Sequence, residues 1–231
     1  MFYGFDIYYL ILVIPTLLIS LWAQAKVKRT FHTYSQQAAV SGMTGRTAAE
    51  RIIERLHLDH VRIERVSGQL TDHYDPRSHV LRLSDATYAS PSIAAIGVAA
   101  HEAGHAAQHE EGYLPNKIRG ALVPVARIGS SMGPLLAIFG IIMTFQPLIT
   151  IGIYLFFGAV LFYLVTLPVE FNASARAIRV LEEQDILTRN ELDGARKVLR
   201  AAALTYVASA LAAIANLLRL VLLSRGRGSR R

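Results

Sequence analysis

The chain contains no cysteine. That excludes disulfides, iron–sulfur clusters, zinc ribbons and a thiol nucleophile. Charge is scarce as well: Asp, Glu, Lys and Arg make up 18% of the 231 residues, against about 25% in soluble globular domains. Hydrophobic residues make up 52%, and they sit in blocks instead of recurring with period two or 3.6. An ordinary soluble domain, a disordered chain and a collagen-like chain are all excluded by this pattern. The net charge is +7. In a chain with long apolar runs, such an excess marks cytoplasmic loops and not nucleic-acid binding.

What is present, first of all, is four apolar blocks. Ile7–Ala25 runs 19 residues without a charge. Ile128–Val169 runs 42. As helix the longer run would measure roughly 63 Å, enough for two crossings of a hydrocarbon core ~30 Å thick. Gln146–Pro147 near its middle is the expected turn, because proline breaks a helix interior. The fourth block, Ala201–Leu218, continues past Arg219 to Leu223. Small residues four apart, Ala208/Ala212 and Ser209/Ala213, suit close helix packing. We read this block as spanning, although that puts the basic tail 224–231 outside, against the positive-inside rule.

Ala23-Gln24-Ala25 has the form of a signal-peptide cleavage site. No basic residue precedes the first run, however, and Lys26, Lys28 and Arg29 follow it. This predicts an uncleaved anchor with its N-terminus outside and a cytoplasmic face from Lys26 onward. The expected organisation is a transmembrane helix at 7–25, a cytoplasmic domain at 26–122 and a transmembrane hairpin at 123–167. Cytoplasmic helices at 168–200, an apolar helix at 201–223 and a basic tail at 224–231 complete it.

The region between the first two blocks has local signals of its own. Thr47-x-x-Glu50 has the form of a capping box, opening a helix with Ala48, Ile52, Ile53 and Leu56 on one face. Val61–Val66 reads as a strand. Leu70–Tyr74 and His79–Leu83 flank the turn Asp75-Pro76-Arg77-Ser78, which predicts a β-hairpin with Leu81 and Leu83 on one face. Ser90-Pro91 reads as an N-cap with proline at the first helical position, followed by a helix of about 20 residues.

That helix carries His101-Glu102-Ala103-Gly104-His105. Histidines at i and i+4 lie on one helix face, where their nitrogens can grip one zinc ion at ~2.0–2.1 Å. Glu102, next to them, is placed to take a proton from metal-bound water. A polar surface helix is the plainer reading, but Ala94-Ala95-Ile96-Gly97-Val98-Ala99-Ala100 precedes the motif. Two histidines and a glutamate in such a buried run need a partner. Gly104 costs ~1 kcal/mol relative to alanine in a helix, and its small size allows close backbone packing beside the metal. His32, His57, His60, His73 and His79 read as scattered over polar surface, and His109 as an outer or surface residue on the same helix face.

A catalytic zinc site takes three protein ligands and keeps one position open. Glu170 is the expected third: it is the first charge after the 42-residue run, behind Pro168 as a helix start, and the hairpin returns it to the same face. Glu111 is a local competitor, six residues after His105. If the helix continues, Glu111 is turned about 240° from His105 and sits roughly 9 Å further along, out of reach.

Together these residues resemble the neutral zinc metallopeptidase family of bacterial membrane proteins, the YugP-like group. The likeness includes Tyr74-Asp75-Pro76-Arg77, Leu81-Arg82-Leu83-Ser84, the His101–His105 motif with Gln108, and Leu167-Pro168-Val169-Glu170-Phe171-Asn172-Ala173-Ser174. It extends to Gly194-Ala195-Arg196-Lys197-Val198-Leu199 and Ala201-Ala202-Ala203-Leu204-Thr205-Tyr206. The resemblance implies a zinc-dependent membrane protease. A looser likeness is to membrane gluzincins of the HtpX and CAAX-endopeptidase kind. Those place an aspartate four residues after the glutamate ligand, where this chain has Ser174; Asn172 or Ser174 would then orient a ligand instead.

The sequence therefore predicts an α+β protein. A zincin-like soluble domain, with a small β-hairpin or sheet and the zinc helix, is fused to three or four transmembrane helices. The expected function is hydrolysis of membrane or membrane-proximal polypeptides at the cytoplasmic face of a bacterial membrane. His101, His105 and Glu170 would bind one Zn²⁺ and Glu102 would act as general base, with polypeptide and lipid bilayer, not nucleic acid, as partners. The rival is a non-catalytic membrane scaffold stapled by a structural zinc, for which His109 would supply a fourth ligand.

Overall fold

The computed structural model describes residues 6–228. Met1–Phe5 and the end of the tail expected at 224–231, residues 229–231, lie outside the described residues. The fold is mostly helical. A π-helical turn over Tyr9–Val13 leads into α1 (Ile14–Ser35), followed by α2 (Gly45–Arg55). Three short strands come next, β1 (Arg62–Val66), β2 (His73–Asp75) and β3 (Val80–Ser84). Then follow α3 (Asp85–Tyr88), α4 (Ile93–Glu110), α5 (Leu114–Met143), α6 (Gln146–Glu183) and α7 (Arg189–Gly228). Two compact units emerge: one joins Ala25–Asn116 to Val169–Leu204, and the other joins the chain up to Gln24 to Lys117–Pro168 and the stretch from Thr205.

In the first unit the sheet order is β1-β3-β2. β3 is central, parallel to β1 with Ile63 opposite Leu81 and antiparallel to β2 with Tyr74 opposite Leu81. The expected hairpin is therefore present, and Leu81 and Leu83 are both fully buried. Its turn is fixed by Asp75, whose carboxylate accepts from the Arg77 amide at 3.0 Å and the Ser78 hydroxyl at 2.6 Å. Those two bonds, with Arg82 beside them, hold the Asp75 carboxyl down to about 2. The core beneath gathers Ile52 of α2, Ile96 and Ala100 of α4, Leu181 of α6, Ile186, and Leu192 of α7.

Local signals shift by a few residues from their sequence reading. The capping box of α2 is Thr44 with Thr47: each hydroxyl accepts the other residue's amide, at 3.2 and 2.8 Å. Glu50, expected in that role, instead pairs with Arg46 at 2.8 Å. The N-cap of α4 is Ser92, not Ser90, with its hydroxyl accepting from the Ala95 amide at 3.2 Å. The Pro91 carbonyl accepts from the Ala39 amide at 2.8 Å, and the chain runs two residues further before the helix begins. Pro168, expected to open a helix, lies inside α6.

Four described helices are long and apolar enough to cross a membrane: Tyr9–Ser35, Leu114–Met143, Gln146–Glu183 and Arg189–Arg225. The turn between α5 and α6 falls at Thr144–Phe145, so Pro147 sits in the first turn of α6, where an amide hydrogen is not needed. In this second unit α5 and α6 pack through glycine. A side-chain carbon at Gly129 would run into the Leu155 carbonyl, one at Gly133 would come within 2.8 Å of Phe156, and one at Gly140 within 2.6 Å of Ile149. Such close backbone approach is how helices associate without a hydrophobic drive between them. Large apolar side chains such as Leu10, Ile11, Leu135, Phe139 and Ile151 point outward, as lipid solvation allows. Arg219, nearly buried in α7, is held by Asp6, which accepts from its Nε at 2.9 Å and its Nη2 at 2.6 Å.

The contrast between two glycines of α5 gives a test. Gly129→Ala should lower the melting temperature of the detergent-solubilised chain by several degrees, since overpacking costs about 1–3 kcal/mol. Gly120→Ala, where an added carbon meets nothing within 4 Å, should leave it unchanged or raise it. Thermal unfolding followed by circular dichroism reads both.

Candidate metal centre

The centre is assembled by α4 and α6. The alanine-rich face of α4 (Ala95, Ala99, Ala103) is fully buried. Gly104 lets it approach α6 so closely that an added carbon would lie 2.8 Å from the Ala173 carbonyl. The close packing expected from that glycine is what the fold contains. It places Glu170, only 2% exposed, against two imidazoles: its Oε2 lies 3.2 Å from His101 Nε2 and 3.5 Å from His105 Nε2. One ligand atom from each of the three residues falls within a 4.8 Å cluster.

Each imidazole is held by its other nitrogen. His101 Nδ1 is 3.1 Å from the Ser174 hydroxyl, and His105 Nδ1 is 3.0 Å from Gln108 Oε1. Gln108, fully buried, donates its amide nitrogen to the Val169 carbonyl at 2.8 Å and to Asn172 Oδ1 at 2.9 Å. A carbonyl can only accept, so the amide end of Gln108 is fixed there and its oxygen must face His105. His105 therefore donates from Nδ1 and presents Nε2 toward Glu170. Two imidazole nitrogens, each ring backed by a hydrogen-bonded partner, together with one carboxylate oxygen suit a borderline ion such as zinc.

The local field also favours a cation. Burial works against a charged His105, yet the Glu170 carboxylate, with that of Glu102, outweighs it and raises the proton affinity of the ring above its ordinary value. A pair of carboxylates that attracts a proton here attracts a metal ion by the same means.

Glu102 is nearly buried, and its Oε2 accepts from the backbone amide of Tyr74 at 3.1 Å. Tyr74 belongs to β2, an edge strand of the sheet. Glu111 stands apart from the cluster. Glu111 caps α4 with a helical backbone, its amide donating to the Ala107 carbonyl at 3.0 Å, and the chain turns only at Gly112, φ +64, so the helix carries Glu111 around its axis and away from the two histidines, as its spacing predicts. Arg176 takes it instead, with paired bonds of 2.6 and 2.7 Å, and also donates to Asn172 at 2.7 Å. His109 faces Tyr74, its Nδ1 3.2 Å from the phenol oxygen. Sequence reasoning had no role for Gln108 or the Tyr74 amide. Gln108 could have been found as the one amide side chain on the buried alanine face; a backbone donor leaves no such trace.

A family model described as "Putative neutral zinc metallopeptidase" matches residues 9–225. The chain is similar to "Putative membrane protease YugP" of Bacillus subtilis (strain 168), with 47% identity over 215 residues, 93% of this chain and 96% of the relative. No solved structure matches it.

The geometry orders three substitutions. Zinc affinity of the purified chain, read by isothermal titration, should be unchanged in Glu111→Ala. It should fall by about 10–100-fold in Gln108→Ala, which frees His105 Nδ1, and fall furthest in Glu170→Ala. Full affinity in Glu170→Ala with loss in Glu111→Ala would reverse the assignment.

Proposed function

The chain belongs to the family described as "Putative neutral zinc metallopeptidase", and from that premise we propose that it is a membrane-bound zinc-dependent endopeptidase. It hydrolyses peptide bonds of membrane or membrane-proximal polypeptides, and its class is gluzincin-like. The observation that carries this reading is the convergence of His101, His105 and Glu170 beside Glu102. On this reading His101, His105 and Glu170 would hold one Zn²⁺. Bound zinc supplies a Lewis acid that lowers the pKa of a water to ~7 and polarises the scissile carbonyl.

The remaining work falls to the protein. Glu102 takes one proton of the attacking water as the water oxygen bonds to the carbonyl carbon. It then delivers that proton to the amide nitrogen as the C–N bond breaks. The Tyr74 amide keeps one Glu102 oxygen in place and leaves the other for the water. An extended substrate segment lies along the edge that β2 presents, as peptides do on other sheet edges. Ser174 fills the orienting role on His101 that aspartate has in related membrane enzymes. A purely structural zinc would want a fourth protein ligand. His109, the candidate for it, is turned to Tyr74, which supports the catalytic reading.

Ala25–Asn116 with Val169–Leu204 form the zincin-like domain on this reading, and the parts of the four apolar helices outside those segments are the membrane spans. The protein lies in the bacterial cytoplasmic membrane with the zinc centre on the cytoplasmic face. Lys26, Lys28 and Arg29, placed directly after the first apolar run, support that orientation.

Glu102→Gln should keep its zinc and lose about 10²–10⁴-fold in peptidase rate. Cleavage of a membrane-protein substrate at the wild-type rate by this variant would refute the mechanism. Orientation is checked by single cysteines in this cysteine-free chain. At the exposed positions Ser41 and Ser67 they should resist an impermeant maleimide applied to intact cells and react once the cells are opened. Labelling of both in intact cells would move the site to the exterior.

A further inference from the structure

Away from the centre, three of the eight histidines gather from three separate places in the chain. His60 lies between α2 and β1, His79 in the turn between β2 and β3, and His109 in the last turn of α4. The sequence scattered the first two over polar surface; the fold brings them together. The His60 and His79 rings are 5.0 Å apart between centroids, and those of His79 and His109 are 5.3 Å apart. Glu110 adds a carboxylate oxygen 3.3 Å from His60 Nε2. His79 adopts φ +53, a left-handed backbone that glycine or asparagine would adopt with less strain in such a turn.

Tyr74 organises two of the rings. Its phenol oxygen is 3.4 Å from His79 Nδ1 and 3.2 Å from His109 Nδ1. A hydrogen bond at Nδ1 orients an imidazole to offer Nε2 to a metal, as Gln108 does for His105. Adjacent imidazoles repel one another once protonated, whereas neutral imidazoles side by side are the donor set that zinc, nickel and copper prefer. His79 and His109 are partly exposed, and His60 and Glu110 are exposed, so ions can reach the group and the rings can turn onto one.

We propose that His60, His79 and His109, with Glu110 at the rim, form a second binding site for a divalent transition metal of the zinc class. It is distinct from His101, His105 and Glu170. Its ligands are more exposed than Glu170 and lack a buried carboxylate, so it binds more weakly than the first centre. Tyr74 touches both sites, its amide on Glu102 and its hydroxyl between His79 and His109.

The test is zinc stoichiometry of the full-length, detergent-solubilised chain, by equilibrium dialysis against graded ZnCl₂ and elemental analysis. Wild type should take up two equivalents in two separate steps. His60→Ala, His79→Ala and His109→Ala should each keep the tight equivalent and lose the weaker one. The double variant His101→Ala/His105→Ala should do the reverse, so failure of the first assignment and failure of this one give different patterns. His32→Ala, at a histidine outside both groups, should retain both. Saturation of wild type at one equivalent, or retention of both equivalents in His79→Ala and His109→Ala with unchanged circular dichroism, overturns the proposal.

Discussion

A carboxylate sealed from water between two imidazoles is the constraint on which the rest of the site depends. Glu170 is 2% exposed, and an ionised carboxylate taken out of water costs several kcal/mol unless something positive or hydrogen-bonding answers it. His101 and His105 can answer it only if α4 comes within a few ångströms of α6. That approach is possible because residue 104 is glycine, facing the Ala173 carbonyl. Closeness alone would still let the rings swing. Ser174 and Gln108, the latter tied to the Val169 carbonyl and to Asn172, remove that freedom. The polar groups buried between the two helices thus make one network in which every member has a partner, the condition under which such a network rigidifies a site.

The sequence made legible whatever is encoded locally. Histidines four apart on an alanine-rich helix, the Asp75-Pro76 turn with its alternating leucines, and a 42-residue uncharged run each carry their meaning within a few turns of chain. The spacing of Ser174 from Glu170 is also local, and the hydroxyl does reach a histidine. Boundaries were less legible because caps compete over neighbouring hydroxyls: Thr44 and Thr47 satisfied each other, and Ser92 caps α4 in place of Ser90. Pro168 was misread because one proline does not end a helix that neighbouring apolar residues sustain on both sides. Least visible were encounters between distant segments. The Tyr74 amide meets Glu102 across 28 residues, and no periodicity links positions 60, 79 and 109.

The small sheet therefore does more than cover the core. β2 is three residues long and lies at the edge. Its middle residue supplies the main-chain donor that orients Glu102, while its side chain reaches the other way toward His79 and His109. A hairpin this short owes its position to Asp75 in its turn and to the burial of Leu81 and Leu83 beneath it. Residues far from the imidazole cluster thereby decide where Glu102 stands.

The pair formed by Asp6 and Arg219 has a bearing on how the chain comes to exist at all. These residues stand 213 positions apart, one before the first apolar helix and the other near the end of the last. As the ribosome emits the chain, Asp6 must wait until the chain has grown 213 residues beyond it. Only then does its arginine arrive, and that arginine is itself costly to leave alone among lipid tails. A molecule cut short before α7 is complete would keep an unmatched acid on its first helix. The pair therefore closes only after every helix from α1 to α6 and most of α7 has been made.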